Sequence, residues 1–379
     1  MLALRGGAEL VALWAQVGSI IDVVVGVVAA GVGSGLVVYV ARARKPKAQR
    51  QHLAEALRIG LRTALPVTLA VAAAAWVCSD QLSGGRISAS IFAIAAFAGW
   101  AAVIPMLVSN YWLGMDRRGL MLALVIAQSA LAVVASVAAP VTSVLLWLTL
   151  TQALPALVLL LLPTREAMSA RFQRWPHPLR RYILPGLSIG ILSPVSMLLT
   201  RGIVGDALSW HEAGVLQALW RVSDWVCTLA GGYLSFHYLP RFAAARSQAE
   251  LLDKLRSAAK VTLAPCAIAF GGLLATHGPL LAVLYDPGMR ASDVTAGLIF
   301  AGSLVRVASW VPLLALYTMR RTYAIALAEL LSLPLFAMLM LATGRHLSLE
   351  LAGVLWLLSY AAYAAFNLAA VLRGHGLGR

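Results

Sequence analysis

Long apolar runs recur along the whole chain, separated by short polar connections. A run of about 20 apolar residues is long enough to cross a lipid bilayer as a helix. The first and seventh runs are longer than this, and their glycine clusters, 31–35 and 231–232, predict bends. The pattern predicts eleven membrane-spanning helices, at 9–41, 60–78, 88–112, 118–138, 141–163, 182–201, 211–239, 259–277, 292–318, 322–343 and 348–372.

Composition supports a membrane protein over a soluble one. Of the 379 residues, 61% are hydrophobic and 12% are charged. Soluble domains carry roughly 25% charged residues, so about half of that charge is missing here. The chain is therefore predicted to be an all-α polytopic membrane protein.

The basic residues are distributed unevenly between the two predicted sides of the membrane. The connections after the odd-numbered spans up to the ninth, together with the C-terminal tail, hold 23 Lys and Arg residues, whereas the opposite side holds 5. Positive charge concentrates on the cytoplasmic side of membrane proteins, so the basic connections and the C-terminus are predicted to be cytoplasmic. The same rule accounts for most of the net charge of +15, and nucleic acid is not expected as a partner.

Two regions about 200 residues apart share a weak internal repeat. This direct repeat predicts two pseudo-symmetric helix bundles in a six-plus-six design, with a central cavity between the lobes. The first copy lacks a counterpart of 182–201, so an additional apolar helix is expected upstream. The predicted units are an N-terminal lobe at 1–163, a cytoplasmic linker at 164–181 and a C-terminal lobe at 182–379. The repeat matches Asp22 with Asp224, YVAR (39–42) with YLPR (238–241), LAEALR (53–58) with LLDKLR (251–256) and Pro66 with Pro265.

No catalytic or metal-binding motif is present in the sequence. There is no phosphate-binding loop, no HExxH or GxSxG segment, and no cluster of His and Cys at ligand spacing. The chain is therefore expected to be a transporter and not an enzyme, with no cofactor and no metal.

Five charged residues fall inside predicted spans: Asp22, Arg221, Asp224, Arg306 and Glu329. Each is costly at bilayer depth, so such residues usually face a protein interior or a hydrated cavity. They could form buried ion pairs that fix helix register. They could instead line a hydrated cavity whose arginines hold an anionic headgroup and whose carboxylates exchange a proton or are displaced. Glu329 could also simply reach cytoplasmic water.

Two segments carry a resemblance to a known family. The stretches AGVGSGLVVYVA (30–41) and SWHEAGVLQALWRVSD (209–224), followed by YLSFHYLPRF (233–242), resemble the Wzx-type polysaccharide flippases. Among these flippases, the two segments most resemble those that move enterobacterial common antigen lipid III and O-antigen. These proteins belong to the multidrug/oligosaccharidyl-lipid/polysaccharide exporter (MOP) superfamily. The family often has asparagine at the position of Ser34 and lysine at that of Val38, and its pattern demands no charge at Arg221.

The resemblance implies a flippase that works by alternating access. Its substrate would be an undecaprenyl-diphosphate-linked oligosaccharide, moved from the cytoplasmic to the periplasmic leaflet of the bacterial inner membrane. A polysaccharide polymerase and a chain-length regulator would be candidate partners, beside the membrane lipids. Arg221, Arg306, Gln217 and Trp210 are the candidate substrate-binding residues, and Asp22, Asp224 and Glu329 are candidates for charge pairing or coupling. Asp224, three residues after Arg221, is expected to hold that arginine in place.

Two alternative functions share this architecture. A cation-coupled multidrug exporter of the same superfamily would use its carboxylates to bind organic cations. A lipid II flippase would share the chemistry of the substrate but would usually carry more helices.

Overall fold

The computed structural model describes residues 2–43, 45–161, 180–245, 247–319 and 321–373. Within these ranges the regular structure is helical, with no strand. The helices are α1 Leu2–Val28, α2 Ser34–Arg42, α3 Pro46–Val77, α4 Ser79–Ser83, α5 Ala89–Gly114, α6 Arg118–Ala138, α7 Val144–Leu161, α8 Arg180–Ala207, α9 Trp210–Tyr233, α10 Leu239–Ala243, α11 Gln248–Leu284, α12 Asp293–Thr318, α13 Thr322–Leu330, α14 Leu333–Thr343 and α15 Leu349–Leu372.

Nine helical segments in the described ranges are long and apolar enough to cross a membrane. Within the described ranges, the eleven predicted spans coincide with helical segments, but α8 and α9 are not among the nine. Helix α9 is long enough at 24 residues. It carries Glu212 in its first turn and Arg221 and Asp224 in its interior, and these charges lower its mean hydropathy.

The chain forms two compact units. The first comprises Met1–Gly6 and Leu13–Gly202, and the second comprises Gly7–Ala12 and Ile203–Arg379. The predicted linker at 164–181 lies outside the described residues except for its last two positions. The predicted lobe limits, 1–163 and 182–379, remain a prediction.

The first unit is built around apolar side chains of α2, α3 and α5. Leu36, Leu57 and Leu107 are buried together in one cluster. Small residues allow the helices to approach closely: a Cβ atom added at Gly99 would lie 3.0 Å from the carbonyl oxygen of Ile21. Close packing of this kind stabilises helices in lipid, where the hydrophobic effect does not drive their association.

The second unit has an aromatic core. The rings of Trp220 and Trp356 lie 5.1 Å apart, and the ring of Phe336 packs edge-on against both. Helices α12 and α15 meet where Gly302 faces the indole of Trp356, because a Cβ atom added there would lie 2.2 Å from that ring. This core holds α9, α12, α14 and α15 in fixed relation to one another.

Serine residues cap several helices of the second unit. The side chains of Ser209, Ser247, Ser292 and Ser348 each accept a hydrogen bond from a backbone N–H in the first turn of the following helix. Ser209 and Ser247 are followed three residues later by glutamate, which is the sequence pattern of a capping box. In the first unit, Ser88 precedes α5 but makes no such bond.

Three predicted spans depart from the α-helix in their interior. The first contains a π-helical turn at Ala29–Gly33, at the predicted glycine cluster, and the seventh contains one at Leu234–Tyr238. The predicted span 322–343 is confirmed as a segment long and apolar enough to cross a membrane, but its helix is interrupted, because α13 ends at Leu330 and α14 begins at Leu333. Pro334 has no N–H to continue the α13 ladder but is tolerated in the first turn of a new helix.

Candidate functional site

An ion pair joins the middle of two long helices in the second unit. Arg306 lies 13 residues after the start of α12 and 12 before its end, which is about 18–20 Å from either end at 1.5 Å per residue. Its Nη1 atom donates a hydrogen bond of 2.8 Å to Oδ1 of Asp224 on α9. The side chains remain 24% and 39% exposed, respectively, so the pair is not sealed inside the protein.

Two aromatic rings also hold the guanidinium of Arg306. Its Cζ atom lies 5.3 Å from the ring centre of Trp310, on the same helix, and 5.7 Å from that of Tyr360, on α15. Attraction between a cation and the face of a ring adds about 0.5–2 kcal/mol, depending on desolvation. Arg306 is therefore positioned by groups that do not depend on Asp224.

Glu329 lies at the end of α13, where the predicted span is interrupted. Its Oε1 atom accepts a hydrogen bond of 2.6 Å from the hydroxyl of Tyr363 on α15. Its charge also lies close enough to Arg306 to interact with it electrostatically. The hydroxyl of Ser332 donates to the Glu329 carbonyl over 2.7 Å, which satisfies one backbone acceptor at the interruption.

Arg221 differs from the other predicted charges. Its side chain is exposed, and it makes no hydrogen bond or ion pair with any residue in the described ranges. The expectation that Asp224 holds Arg221 was wrong, because Asp224 pairs with Arg306 across the helix interface. A cross-helix partner at this depth cannot be recognised from spacing along one helix.

The field of Arg221 reaches the connection between α11 and α12. Burial raises the pKa of the Tyr285 phenol, and the positive charge of Arg221 opposes part of this rise. A guanidinium in an exposed position can in addition bind phosphate oxygens in bidentate fashion.

Trp210, Gln217, Arg221 and Asp224 lie on one stripe of α9, at successive spacings of seven, four and three residues. Gln217 and Trp210 are buried, with exposed fractions of 3% and 2%. Close by, the Gly214 backbone contacts that of Ala8, leaving no room for a side chain. This stripe of α9 is therefore covered at its N-terminal end and open from Arg221 onward. Asp22 is exposed and has interactions of its own.

The burial of Arg201 was not predicted from the sequence. This residue was expected at the outer end of a span, but α8 continues to Ala207, so Arg201 lies more than a turn inside the helix. Its Nε atom donates to Oε1 of Gln16 over 3.0 Å, and its Nη2 atom donates to the hydroxyl of Ser19. Gln16 in turn donates to the carbonyl of Leu82 over 2.7 Å.

No group of three or more His, Cys, Asp or Glu side chains within the described ranges is arranged to hold a metal ion. Around Arg306, the structure instead places an ion pair with Asp224 beside the rings of Trp310 and Tyr360. Such a surface can bind a charged organic molecule or headgroup.

Comparison with solved structures defines the fold. An inward-facing multidrug resistance MATE family transporter of the MOP superfamily matches with a TM-score of 0.74 and 12% identity, over 98% of this chain and 90% of that one. An outward-facing multidrug resistance MATE family transporter of the same superfamily matches with a TM-score of 0.62 and 14% identity, over 98% and 88%.

A third match concerns a MOP superfamily transporter from Pyrococcus furiosus, described as having a binding pocket of reverse polarity that suggests a different function. It gives a TM-score of 0.60 and 15% identity, over 97% of this chain and 90% of that one. No protein-family profile and no curated protein matches the sequence. The chain therefore has the two-lobed, all-helical fold of MOP-superfamily transporters over nearly its whole length. This confirms the predicted all-α class with two helix bundles, whereas the cavity between the lobes remains a prediction.

Proposed function

We infer that the chain translocates an anionic amphiphile across the membrane, and that this amphiphile is a lipid-linked oligosaccharide diphosphate. The fold supports a transporter, and the resemblance to Wzx-type flippases supports an undecaprenyl-diphosphate carrier. The headgroup would move from the cytoplasmic to the periplasmic leaflet of a bacterial inner membrane, with the C-terminus cytoplasmic. Polysaccharide polymerase and chain-length regulator are the proposed partners.

One observation carries this inference. Among the five predicted intramembrane charges, both second-unit carboxylates have a donor in the structure: Asp224 has Arg306, and Glu329 has Tyr363. Arg221 is the charge in this set without such a partner among the described residues. The carboxylates of this surface already accept hydrogen bonds from the protein, whereas its arginine is exposed. Such a surface favours an anionic ligand.

The physical need for such groups follows from the substrate. A sugar diphosphate cannot enter hydrocarbon, because each unpaired polar group costs several kcal/mol and the charge costs more. Arginine is well suited to a diphosphate, because its planar guanidinium binds two oxygens at once and stays charged. The polyprenyl tail needs no polar partner and can stay in the lipid.

Binding of the carrier lipid tests the inference. Purified full-length protein in nanodiscs would be titrated with undecaprenyl diphosphate and, separately, with undecaprenol, which has the same tail without the diphosphate. We expect saturable binding of the diphosphate only, weakened about tenfold or more in Arg221→Gln and Arg306→Gln. Arg290→Gln, which removes an exposed arginine of the same unit, is the matched control and should bind normally. Equal binding of both lipids would contradict the proposal.

A multidrug exporter is the second candidate. Asp224 lies next to a guanidinium flanked by the Trp310 and Tyr360 rings. A carboxylate beside aromatic rings is a recognised arrangement for organic cations, and the matched MATE transporter is described as a multidrug resistance protein. Titration with tetraphenylphosphonium distinguishes the two functions: binding that Asp224→Asn abolishes and Arg221→Gln leaves unchanged would favour drug export.

A further inference from the structure

Asp224 pairs with an arginine on a neighbouring helix and has a second arginine three residues earlier on its own helix. The pair with Arg306 joins a single carboxylate oxygen, Oδ1, to a single guanidinium nitrogen, Nη1. Arg221 lies three residues earlier on α9, so its side chain projects from the same face of the helix about one turn away. It is exposed, and within the described part of the chain it makes no hydrogen bond or ion pair.

The Asp224–Arg306 pair has the character of an exchangeable contact. The strongest arginine–carboxylate pairs are joined by two parallel hydrogen bonds. This pair is partly exposed, with Arg306 at 24% and Asp224 at 39%, and is joined by one bond. Ion pairs reached by water contribute little net stability, so a competing ligand can replace one partner at low cost.

Arg306 would stay in place if Asp224 left it. The rings of Trp310 and Tyr360 lie against its guanidinium from α12 and α15, and neither contact involves the carboxylate. A side-chain rotation of Asp224 could then bring its carboxylate toward Arg221, which exchanges one cationic partner for another. The charge released at Arg306 would be available to an anion.

From these contacts we propose that Asp224 is a displaceable counterion that competes with the anionic headgroup for Arg306. This proposal rests on the function inferred above and deepens it. The carboxylate keeps the arginine neutralised when no headgroup is bound and lowers the net affinity for the headgroup. A transporter must release its substrate as well as bind it, and a returning Asp224 would promote that release.

If Asp224 competes with the headgroup for Arg306, then neutralising its carboxylate should tighten the binding of the headgroup. Purified full-length protein in nanodiscs would be titrated with farnesyl diphosphate, a water-soluble polyprenyl diphosphate, and with farnesol as the neutral control. We expect Asp224→Asn to bind farnesyl diphosphate about three- to tenfold more tightly than the native protein. Asp224→Glu, which retains the competitor, should stay near the native affinity.

Matched variants separate this effect from a general change in charge. Asp253→Asn removes an exposed carboxylate elsewhere in the same unit and should leave the affinity unchanged. Arg306→Gln should abolish most of the binding. A dissociation rate measured by dilution should fall in Asp224→Asn in step with the gain in affinity, because the returning carboxylate is what speeds release.

The failures of the two proposals can be distinguished. If Arg306→Gln loses binding while Asp224→Asn binds with unchanged or weaker affinity, Asp224 is not a competitor, and the inferred function stands. If the native protein binds farnesyl diphosphate no better than farnesol, the inferred function fails, and the proposal about Asp224 fails with it. A thermal unfolding curve for each variant shows whether lost binding reflects lost structure.

Discussion

Each compact unit carries an arginine inside a long helix, but the two arginines have different surroundings. Arg201, in the first unit, is 2% exposed, and its contacts include the neutral side chains of Gln16 and Ser19. Arg306, in the second unit, has a side chain 24% exposed and is paired with the carboxylate of Asp224. The first arginine is enclosed by protein, whereas the second can be reached from outside it.

The difference indicates which charge has a structural role and which can meet a ligand. Arg201 links α1 and α8, and Gln16 extends the network to the backbone of α4 through Leu82. Arg201 would have to break these hydrogen bonds in order to bind a substrate. Arg306 has one hydrogen-bonded carboxylate and two ring contacts, so a ligand would replace a single bond.

The largest expected effect is on stability, in Arg201→Met. This change leaves the side-chain oxygen Oε1 of Gln16 and the hydroxyl of Ser19 without the Arg201 donor. Each buried unsatisfied polar group costs about 1–3 kcal/mol, so we expect a loss of roughly 3 kcal/mol or more. Thermal unfolding of the purified protein in detergent would measure it.

Arg290→Met serves as the control for that variant, because it removes an arginine that is exposed in the second unit. Its unfolding temperature should stay close to that of the native protein. A near-native unfolding temperature for Arg201→Met would show that the buried network contributes little, and the contrast between the two arginines would then rest on exposure alone.

The next effect concerns binding, in Arg306→Gln. Asp224 is partly exposed and stays hydrated when its partner is removed, so most of the lost stability comes from the two ring contacts of Arg306. The loss should be about 1–2 kcal/mol, which is less than in Arg201→Met. Binding of undecaprenyl diphosphate should fall by about tenfold or more, with partial recovery in Arg306→Lys, which keeps the charge but not the planar fork. If Arg306→Gln unfolds as readily as Arg201→Met, then Arg306 is also structural.

The contrast between the arginines also shows what could be predicted from the sequence. Apolar runs and the basic residues of the connections depend on local composition, so helix positions and the all-helical fold class followed from them. Arg306 and Asp224 were recognised as intramembrane charges for the same reason. Their pairing was not, because it joins residues 82 positions apart and depends on how α9 packs against α12.

The burial of Arg201 was missed for a different reason. Its predicted position depended on where α8 ends, and helix ends are the least certain feature of such a prediction. The helix continues through Ala207 and stops before Ser209, which caps the next helix. This further stretch of helix was enough to change Arg201 from a surface residue into a buried one. The interruption at Leu331 and Ser332 could have been expected from Pro334.

A smaller difference between the units concerns their helix caps. Ser247 precedes α11 in the second unit and accepts a hydrogen bond of 3.2 Å from the N–H of Glu250. Ser247→Ala should therefore destabilise the protein by about 1 kcal/mol. Ser88→Ala is the matched change in the first unit, since Ser88 is also exposed but makes no capping bond, and it should have almost no effect. Equal unfolding temperatures for the two variants would contradict this assignment.

The smallest expected effect is the coupling energy between Asp224 and Arg306. A double-mutant cycle of Asp224→Asn, Arg306→Gln and the combined variant isolates this energy from the effect of each change alone. The pair is partly exposed and joined by one hydrogen bond, so its contribution to folding stability should be about 0–1 kcal/mol. A sealed pair would instead lose about 3–5 kcal/mol when either partner is removed, and most of that loss would be recovered in the double variant. Chemical denaturation of the purified variants provides the measurement. A coupling energy near the larger value would place Arg306 in the same structural class as Arg201, and Asp224 would then be too firmly bound to act as a displaceable counterion.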